Sequence, residues 1–138
     1  MRTFTTDFTG EQAARIRGIR NSVFSVEQKI DANLDFDGQD AAAVHALVET
    51  DGEYAGTGRI LPDGHIGRLA VLKPFRGRSL GRELILKLIE EATKRGIKRV
   101  FLGAQEHAVG FYRKLGFSEY AEPYHEAGIR HIHMEKHI

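Results

Sequence analysis

The sequence contains no cysteine, which excludes a disulfide framework, a cysteine-ligated metal site and a cysteine nucleophile. It also lacks an excess of charge, since 20 Lys and Arg residues stand against 19 Asp and Glu residues. This balance argues against a protein that binds nucleic acid or a membrane through general positive charge. No apolar run is long enough to cross a bilayer and no segment resembles a signal peptide. We therefore expect a cytoplasmic protein.

Two common nucleotide-binding motifs are missing as well. The chain has neither Gly-x-x-x-x-Gly-Lys-Ser/Thr nor Gly-x-Gly-x-x-Gly, which are typical of P-loop proteins and dinucleotide-binding folds. There is no internal repeat, low-complexity tract or linker, and 138 residues are enough for one domain with a substantial core. A single domain over residues 1–138 is expected.

The first third of the chain predicts a strand, a helix and a loop. Polar and apolar residues alternate over 2–8, as in a strand, and a helical pattern follows at 9–28. Thr9 is the predicted N-cap, and Gln12 stands where it would complete a capping box. Four aspartates occupy residues 29–40, which resemble a calcium loop but lack its final glutamate, so a solvated loop is predicted.

The middle of the chain predicts a meander of strands and then a long helix. Asp51 and Gly52 separate two β-rich runs and favour a hairpin, and a further strand follows at 65–72. A helix is predicted over 80–95, because its apolar residues form one face. These residues are Leu80, Leu84, Ile85, Leu88, Ile89 and Ala92.

The remaining pattern predicts a strand at 97–104, a short helix at 106–116 and strands at 117–121 and 129–138. A strand, helix and strand in succession require a right-handed crossover and local parallel pairing. The expected fold class is α/β (α+β), a mixed sheet with helices on both faces.

Residues 74–84, PFRGRSLGREL, combine positive charge with little side-chain bulk where a strand turns into a helix. Unpaired N–H groups at a helix N-terminus attract anions, and glycines let a phosphate approach the backbone. The segment therefore predicts a phosphate cradle. The alternative is a solvated basic turn whose glycines serve geometry alone.

This stretch resembles the acetyl-CoA loop of the GNAT superfamily of N-acetyltransferases, Arg/Gln-x-x-Gly-x-Gly/Ala. Arg76 and Gly81 match the pattern, and Ser79 stands where the first glycine usually stands. Residues 105–117 resemble a second motif of the family, Asn-x-x-Ala-x-x-x-Tyr-x-x-x-Gly-Phe, with Gln105 replacing Asn. The resemblance covers essentially the whole chain and points to the ElaA-like (YjcF-like) branch.

The resemblance implies a fold with splayed central strands, in which the pantetheine arm of acetyl-CoA occupies the gap like an additional strand. Main-chain groups of residues 69–71 would bind the arm, and the N–H of Val71 would stabilise the tetrahedral oxyanion. Main-chain N–H groups of residues 76–82 would hold the pyrophosphate. The implied cofactor-binding set is Leu69, Ala70, Val71, Arg76, Gly77, Arg78, Ser79, Leu80, Gly81, Arg82, Gln105, Phe111 and Tyr112.

Tyr112 is the general acid that the resemblance implies, and it would protonate the thiolate leaving group. A phenol ordinarily holds its proton more tightly than a thiol, so a pocket that favours phenolate would help. The alternative is a packed aromatic side chain. Glu27 and His107 are the candidate bases, while His45, Glu49, a water chain or no dedicated base stay open.

The implied acceptor pocket contains Glu27, Arg59, Arg68, His107 and His131. Its arginines would hold an acidic group of the acceptor, or pair with Glu27 or with the acidic loop, which we expect near the acceptor entrance. His131 and His133 share a strand face, but no third ligand is evident, and no metal is expected.

The expected activity is direct transfer of acetyl from acetyl-CoA to a primary amine, without a covalent enzyme intermediate. One alternative is a non-catalytic acyl-CoA sensor of the same fold. Another is a phosphate-ligand domain unrelated to CoA. A polyamine, an aminoglycoside, an amino acid, an amino sugar and a protein N-terminus all fit as acceptor, and a homodimer stays open.

Overall fold

The computed structural model describes all residues from 1 to 138. Three 3-10 turns, at Asp40–Ala42, Lys73–Phe75 and Glu106–Ala108, connect its regular elements. These elements, in chain order, are β1 (Arg2–Thr6), α1 (Gly10–Arg20), a π-helical segment (Asn21–Glu27), α2 (Ala32–Asp35), β2 (Val44–Thr50), β3 (Glu53–Ile60), β4 (Ile66–Val71), α3 (Leu80–Lys94), β5 (Arg99–Gln105), α4 (Val109–Lys114), β6 (Ser118–Glu119), β7 (Tyr124–Glu126) and β8 (Ile129–His137).

The strands form two antiparallel halves that touch at one point. The first half has the order β1-β2-β3-β4, and the second has β5-β8-β6 with β7 also beside β8. A single parallel bridge between His65 and Phe101 joins the halves. The predicted parallel pairing is therefore limited to the start of β4 and β5, beyond which the two strands diverge. The expected mixed, mostly antiparallel sheet with splayed central strands is confirmed.

Helices cover both faces of the sheet, as predicted. On one face α3 buries Leu80, Leu84, Ile85, Leu88 and Ala92, which pack with the inward side chains of β5 and β8. On the other face, α1 and the π-helical segment form a smaller cluster with β2 and β4. Its buried members are Ile16, Ile19, Val23, Phe24, Leu47 and Ala70.

The first helix differs from its prediction at both ends. Thr9 is the N-cap, but its hydroxyl donates to Asp7 rather than capping the helix, so the predicted capping box is wrong. Gln12 instead accepts a hydrogen bond from Arg15. The α-helix ends at Arg20 and continues as a π-helical segment, a form that occurs at functional sites.

Strand prediction is weakest near the C-terminus. The strand expected at 117–121 is reduced to the two residues of β6, and β7 was not predicted. Each pairs only with β8. No helix of this chain combines the length and the apolar character that a membrane span would require.

Candidate active site

A β-bulge in β4 makes the central strands diverge. Thr57 of β3 pairs with Ala70, whereas Arg59 pairs with Gly67, so one residue of β3 faces two residues of β4. The extra residue is Arg68, whose φ is +52°. A bulge bends its strand and strengthens the local twist, which turns the C-terminal half of β4 away from β5.

The facing edges of β4 and β5 bound a cleft of about 650 Å³. The N–H of Leu72 donates to the carbonyl of Ala55 in β3 at 2.8 Å. Because successive residues of a strand direct their N–H groups to opposite edges, the N–H of Val71 faces the cleft. Ala70 is a correction to the predicted set, since it pairs with Thr57 and its main chain is turned towards β3.

The turn before α3 presents a row of free donors. The six backbone N–H groups from Gly77 to Arg82 donate to no protein acceptor, as expected where a helix begins. The N–H of Arg76 is a correction, because it donates to the carbonyl of Lys73 at 3.3 Å. The turn lines a second cavity of about 450 Å³ together with Phe111 and Lys114.

Ser79 adopts the conformation that the missing glycine would have supplied. Its φ is +64° and its ψ is +20°, in the left-handed region, and its hydroxyl does not cap the helix. Ser79 therefore supplies the positive φ that a glycine would, although an L-residue is strained in this region.

Of the three arginines of the turn, Arg76 lines the cleft, where it pairs with Glu27. Arg76 binds both oxygens of Glu27, at 2.6 and 2.7 Å, and its Nε donates to the carbonyl of Val71 at 3.0 Å. Arg78 pairs with Asp51 at 2.6 Å, while Arg82 has no carboxylate partner. The hydrogen bond from Arg76 lowers the pKa of Glu27, which makes this carboxylate a weaker base and a poorer candidate for the general base.

Tyr112 lies in the wall of the cleft and is 8% exposed. Its ring packs edge-to-face against Phe111 and Phe117, at centroid distances of 4.9 and 5.8 Å. Burial alone raises the pKa of Tyr112, so the expected environment that favours phenolate is absent. The side chain keeps its proton at neutral pH and is placed as a donor rather than as a base.

Gln105 and His107 form a short hydrogen-bonded chain at the end of β5. The amide nitrogen of Gln105 donates to Gln28 at 3.0 Å, which turns its oxygen towards His107. The Nε2 atom of His107 lies 2.8 Å from this oxygen and therefore carries the hydrogen. Both residues line the cleft, although His107 is exposed.

Three arginines and three aspartates form a largely buried network beneath the cleft. Arg20 is fully buried and pairs with Asp35 at 2.9 Å and with Asp40 at 2.7 Å. Arg59 binds Asp37 and Asp40, at 2.7 and 2.9 Å. The acidic loop is thus not a solvated loop, because three of its carboxylates balance buried guanidinium groups.

Arg68 completes this network from the bulge. It pairs with Asp37 at 3.2 Å and donates to the carbonyls of Leu34 and Asp35 at 3.0 Å. Both arginines of the predicted acceptor pocket, Arg59 and Arg68, are therefore paired with the acidic loop. This is one of the alternatives to binding an acidic group of the acceptor. Arg20 was missed, although a charged residue on the apolar face of a helix is a usable signal of an internal ion pair.

Two of the remaining histidines have clear positions. His45 is 1% exposed, contacts the carbonyl of Asp40 through Nε2 and has a pKa lowered by burial, so it cannot reach an acceptor. His131 lines the cleft, as predicted for the acceptor pocket. Tyr124 of the unpredicted strand β7 lines it as well.

The fold and the cleft define the class to which this chain belongs. The profile of the acetyltransferase (GNAT) domain family matches residues 4–138, and the chain is a member of that family. It is 36% identical to the protein ElaA of Escherichia coli over 129 residues, which cover 87% of this chain and 84% of ElaA. It is 35% identical to the uncharacterised Bacillus subtilis protein YyaT over 126 residues, with 87% and 85% coverage.

Solved structures agree with this assignment. The crystal structure of E. coli ElaA superposes with a TM-score of 0.89 at 32% identity and covers 99% of both chains. An acyl-CoA N-acyltransferase from Pseudomonas aeruginosa superposes with a TM-score of 0.88 at 28% identity and covers 98% of both chains. The resemblance drawn from the two sequence motifs is thereby confirmed.

Proposed function

We propose that this protein is an N-acetyltransferase that transfers the acetyl group of acetyl-CoA directly to a primary amine. The observation that carries the proposal is the continuity of the cleft with the turn before α3. Unpaired strand edges of β4 and β5 lead to six free N–H groups, and both Phe111 and Val71 line the two cavities. The name of the P. aeruginosa relative, an acyl-CoA N-acyltransferase, supports the same chemistry.

In this proposal the turn holds the pyrophosphate of the acyl donor. The N–H groups from Gly77 to Arg82 would bind its oxygens, assisted by the partial positive charge of the α3 N-terminus. Arg82 and Lys114 would add charge from the rim of the cavity. The pantetheine arm would then lie against the cleft side of β4, with Leu69 and Val71 offering main-chain groups.

Val71 and Tyr112 would act on the thioester itself. The cleft-facing N–H of Val71 would stabilise the oxyanion that forms when the amine attacks the carbonyl carbon. Tyr112 would give its proton to the departing sulfur. The raised pKa of Tyr112 makes this transfer harder, but a thiolate that forms in the same apolar wall is destabilised by the same loss of water.

Thermal unfolding with saturating acetyl-CoA tests the donor, with ATP as the control. A ligand at a hundred times its dissociation constant adds about 2.7 kcal/mol to the free energy of unfolding. We expect a rise of several degrees in melting temperature with acetyl-CoA and none with ATP. Equal shifts with both ligands would favour a general phosphate-binding domain, and no shift with any acyl-CoA would overturn the proposal.

Tyr112→Phe separates an enzyme from a sensor. The substitution keeps the packing against Phe111 and Phe117, so the affinity for acetyl-CoA should not change. We expect kcat to fall on the order of 10²-fold, as for loss of a general acid. Wild-type protein that binds acetyl-CoA but releases no free thiol with any amine would instead support the sensor.

A further inference from the structure

Amine acetylation needs a group that removes a proton from the acceptor. A primary amine such as a lysine side chain has a pKa of about 10.4, so near neutral pH it is an ammonium ion without a lone pair. The base has to lie in the cleft near the thioester. The titratable side chains that line the cleft, apart from arginine and tyrosine, are Glu27, Asp35, Asp37, Glu126, His65, His107 and His131.

Three of the four carboxylates are committed to arginines, and the fourth, Glu126, is exposed. Glu27 is held in a bidentate pair by Arg76. Asp35 and Asp37 belong to the buried network described above, and the hydrogen bond from Arg59 lowers the pKa of Asp37. A nearby guanidinium group favours the charged form of a carboxylate, so each of these pairs opposes the uptake of a proton.

Two of the three histidines are poorly placed. His65 stacks on Phe101 with ring centroids 4.9 Å apart, at the closed end of the cleft where β4 and β5 still pair. Six residues of strand, about 20 Å, separate it from Val71. His107 is exposed, and its Nε2 donates to Gln105.

His131 differs from His107 in its tautomer. Its Nδ1 lies 2.8 Å from the backbone carbonyl of Ile129. A carbonyl oxygen only accepts hydrogen bonds, so Nδ1 carries the hydrogen of the neutral ring. The Nε2 atom then has a lone pair, and no protein group binds it.

His131 also lies close to Val71 when positions are compared along the strands that bound the cleft. It pairs with Gln105 of β5, four residues beyond the bridge at Phe101. The same distance along β4 from His65 reaches Leu69. His131 is therefore level with the bulged part of β4, within two residues, about 7 Å along the strand, of Val71.

Tyr124 holds the imidazole ring from the neighbouring strand. It pairs with His131, and their rings stack at a centroid distance of 5.2 Å and an angle of 22°. The phenol extends over Gly103, where a Cβ would overlap its hydroxyl. The stack and the hydrogen bond to Ile129 together restrict the ring, which makes Tyr124 a positioning residue.

The charged and titratable surroundings of this ring are few. They are Tyr124 and Glu126 on β7 and His133 on β8, whose ring also contacts Tyr124 at 4.4 Å. Gln105, which faces the ring from β5, is uncharged. Arg130, the preceding residue, is paired with Glu106 outside the cleft.

We propose that His131 is the general base of this enzyme and acts through Nε2 on the acceptor ammonium, an inference that rests on the proposed function. Nε2 takes one proton from the ammonium, and the neutral amine attacks the thioester carbonyl carbon. When the intermediate collapses, the C–S bond breaks and the sulfur takes the proton of Tyr112. The new amide nitrogen loses its second ammonium proton, which restores Tyr112. Besides the amide and the free thiol of CoA, the reaction releases one proton, which leaves through His131.

The test compares His131→Gln with wild type on two small amines. Ethylamine is protonated at neutral pH and needs a base, whereas hydroxylamine is largely neutral and does not. We expect kcat/KM for ethylamine to fall on the order of 10²-fold at pH 7 and the loss to shrink as the pH rises. Hydroxylamine acetylation should change only a few-fold. The matched control His137→Gln, on the same strand but outside the cleft, should leave both rates unchanged.

The outcomes separate this inference from the proposed function. Wild-type protein that binds acetyl-CoA but releases no free thiol with ethylamine, hydroxylamine or any other amine removes acetyl transfer and the base with it. If wild-type protein acetylates ethylamine and His131→Gln keeps that activity within two-fold, with an unaltered pH profile, then the role of His131 as base is overturned and acetyl transfer is not. An equal melting shift with acetyl-CoA in both proteins confirms that the variant is folded, and His131→Asn repeats the test if it is not.

Two further measurements test the orientation of the ring. Long-range ¹H–¹⁵N spectra of wild-type protein should show His131 as the Nδ1–H tautomer above neutral pH, and an Nε2–H tautomer would overturn the proposal. Gly103→Ala should displace Tyr124 without touching His131. It should lower the ethylamine rate several-fold and spare hydroxylamine, and equal losses on both amines would contradict the positioning role.

Discussion

Two groups of three arginines in this molecule differ in burial and in their partners. The inner group, Arg20, Arg59 and Arg68, is wholly or partly buried and bound by Asp35, Asp37 and Asp40. The outer group, Arg76, Arg78 and Arg82, is exposed at the turn before α3. Its two ion pairs, to Glu27 and Asp51, are at the surface. Burial, rather than residue type, decides which arginines shape the fold and which are free for a ligand.

The largest loss in the free energy of unfolding is expected from Arg20→Ala. Removing this side chain leaves Asp35 and Asp40 short of a buried partner, and breaking such a pair costs about 3–5 kcal/mol. Denaturant unfolding should show a loss of that size. Arg95→Ala, which removes only an exposed pair with Glu91, should cost about 0.3–0.5 kcal/mol. Comparable losses in the two variants would contradict the view that burial gives Arg20 its role in the fold.

The next largest effect is expected from acid, which should destabilise the protein through the aspartates of the inner group. The hydrogen bond from Arg59 lowers the pKa of Asp37. Burial would raise the pKa of Asp40, but Arg20 and Arg59 outweigh it and lower that pKa as well. These carboxylates therefore stabilise the fold fully above their unfolded pKa, about 3.9, and the stability is lost as the pH falls through the lower folded values.

The free energy of unfolding, measured from pH 6 down to pH 3, should fall steeply at the acid end. Asp37→Asn should be less stable at pH 6 and show a shallower fall. An unchanged slope would mean that other carboxylates dominate the acid response.

A smaller effect is expected in the outer group. Arg82→Ala should weaken acetyl-CoA binding about five-fold, or roughly 1 kcal/mol, because an exposed charge is screened by solvent. Added salt should reduce the difference between variant and wild type. Titration calorimetry measures both, and Arg95→Ala at the far end of α3 is the matched control. Loss of stability without loss of affinity would place Arg82 with the inner group.

The smallest effect concerns the backbone beneath the outer arginines. Ser79→Gly should relieve the left-handed strain and raise the free energy of unfolding by about 0.5–1 kcal/mol, less the entropy cost of glycine. Ser79→Ala keeps the positive φ and should not stabilise the protein. Equal melting temperatures for the two variants would contradict the strain.

Local patterns predicted much of this molecule correctly. The apolar face of α3, the hairpin at Asp51 and Gly52 and the turn before α3 all depend on neighbouring residues, so they can be recognised in the sequence. The capping box at Thr9 failed because the Thr9 hydroxyl donates to Asp7 and accepts no hydrogen bond from the first turn of the helix. Strand β7 was missed because only its pairing with β8, from Tyr124 with His131 to Glu126 with Ile129, makes it a strand.

The candidate site shows the same division. The motif residues Arg76, Gly81 and Tyr112 all line the two cavities, as the resemblance implied. Their electrostatic states were not predictable, because the pairing of Glu27 with Arg76 and the burial of Tyr112 join segments far apart in the chain. His131 could be named from the sequence, but the tautomer of its ring depends on a backbone carbonyl.

The family, the order of most elements and the segment proposed to bind the phosphate could be predicted from the sequence, because these depend on spacing along the chain. The folded chain was needed to tell which charges are neutralised, which strand edges stay open and which imidazole nitrogen keeps a lone pair. Those properties arise where distant segments meet, since burial removes water and leaves each polar group to the partners that the fold places beside it.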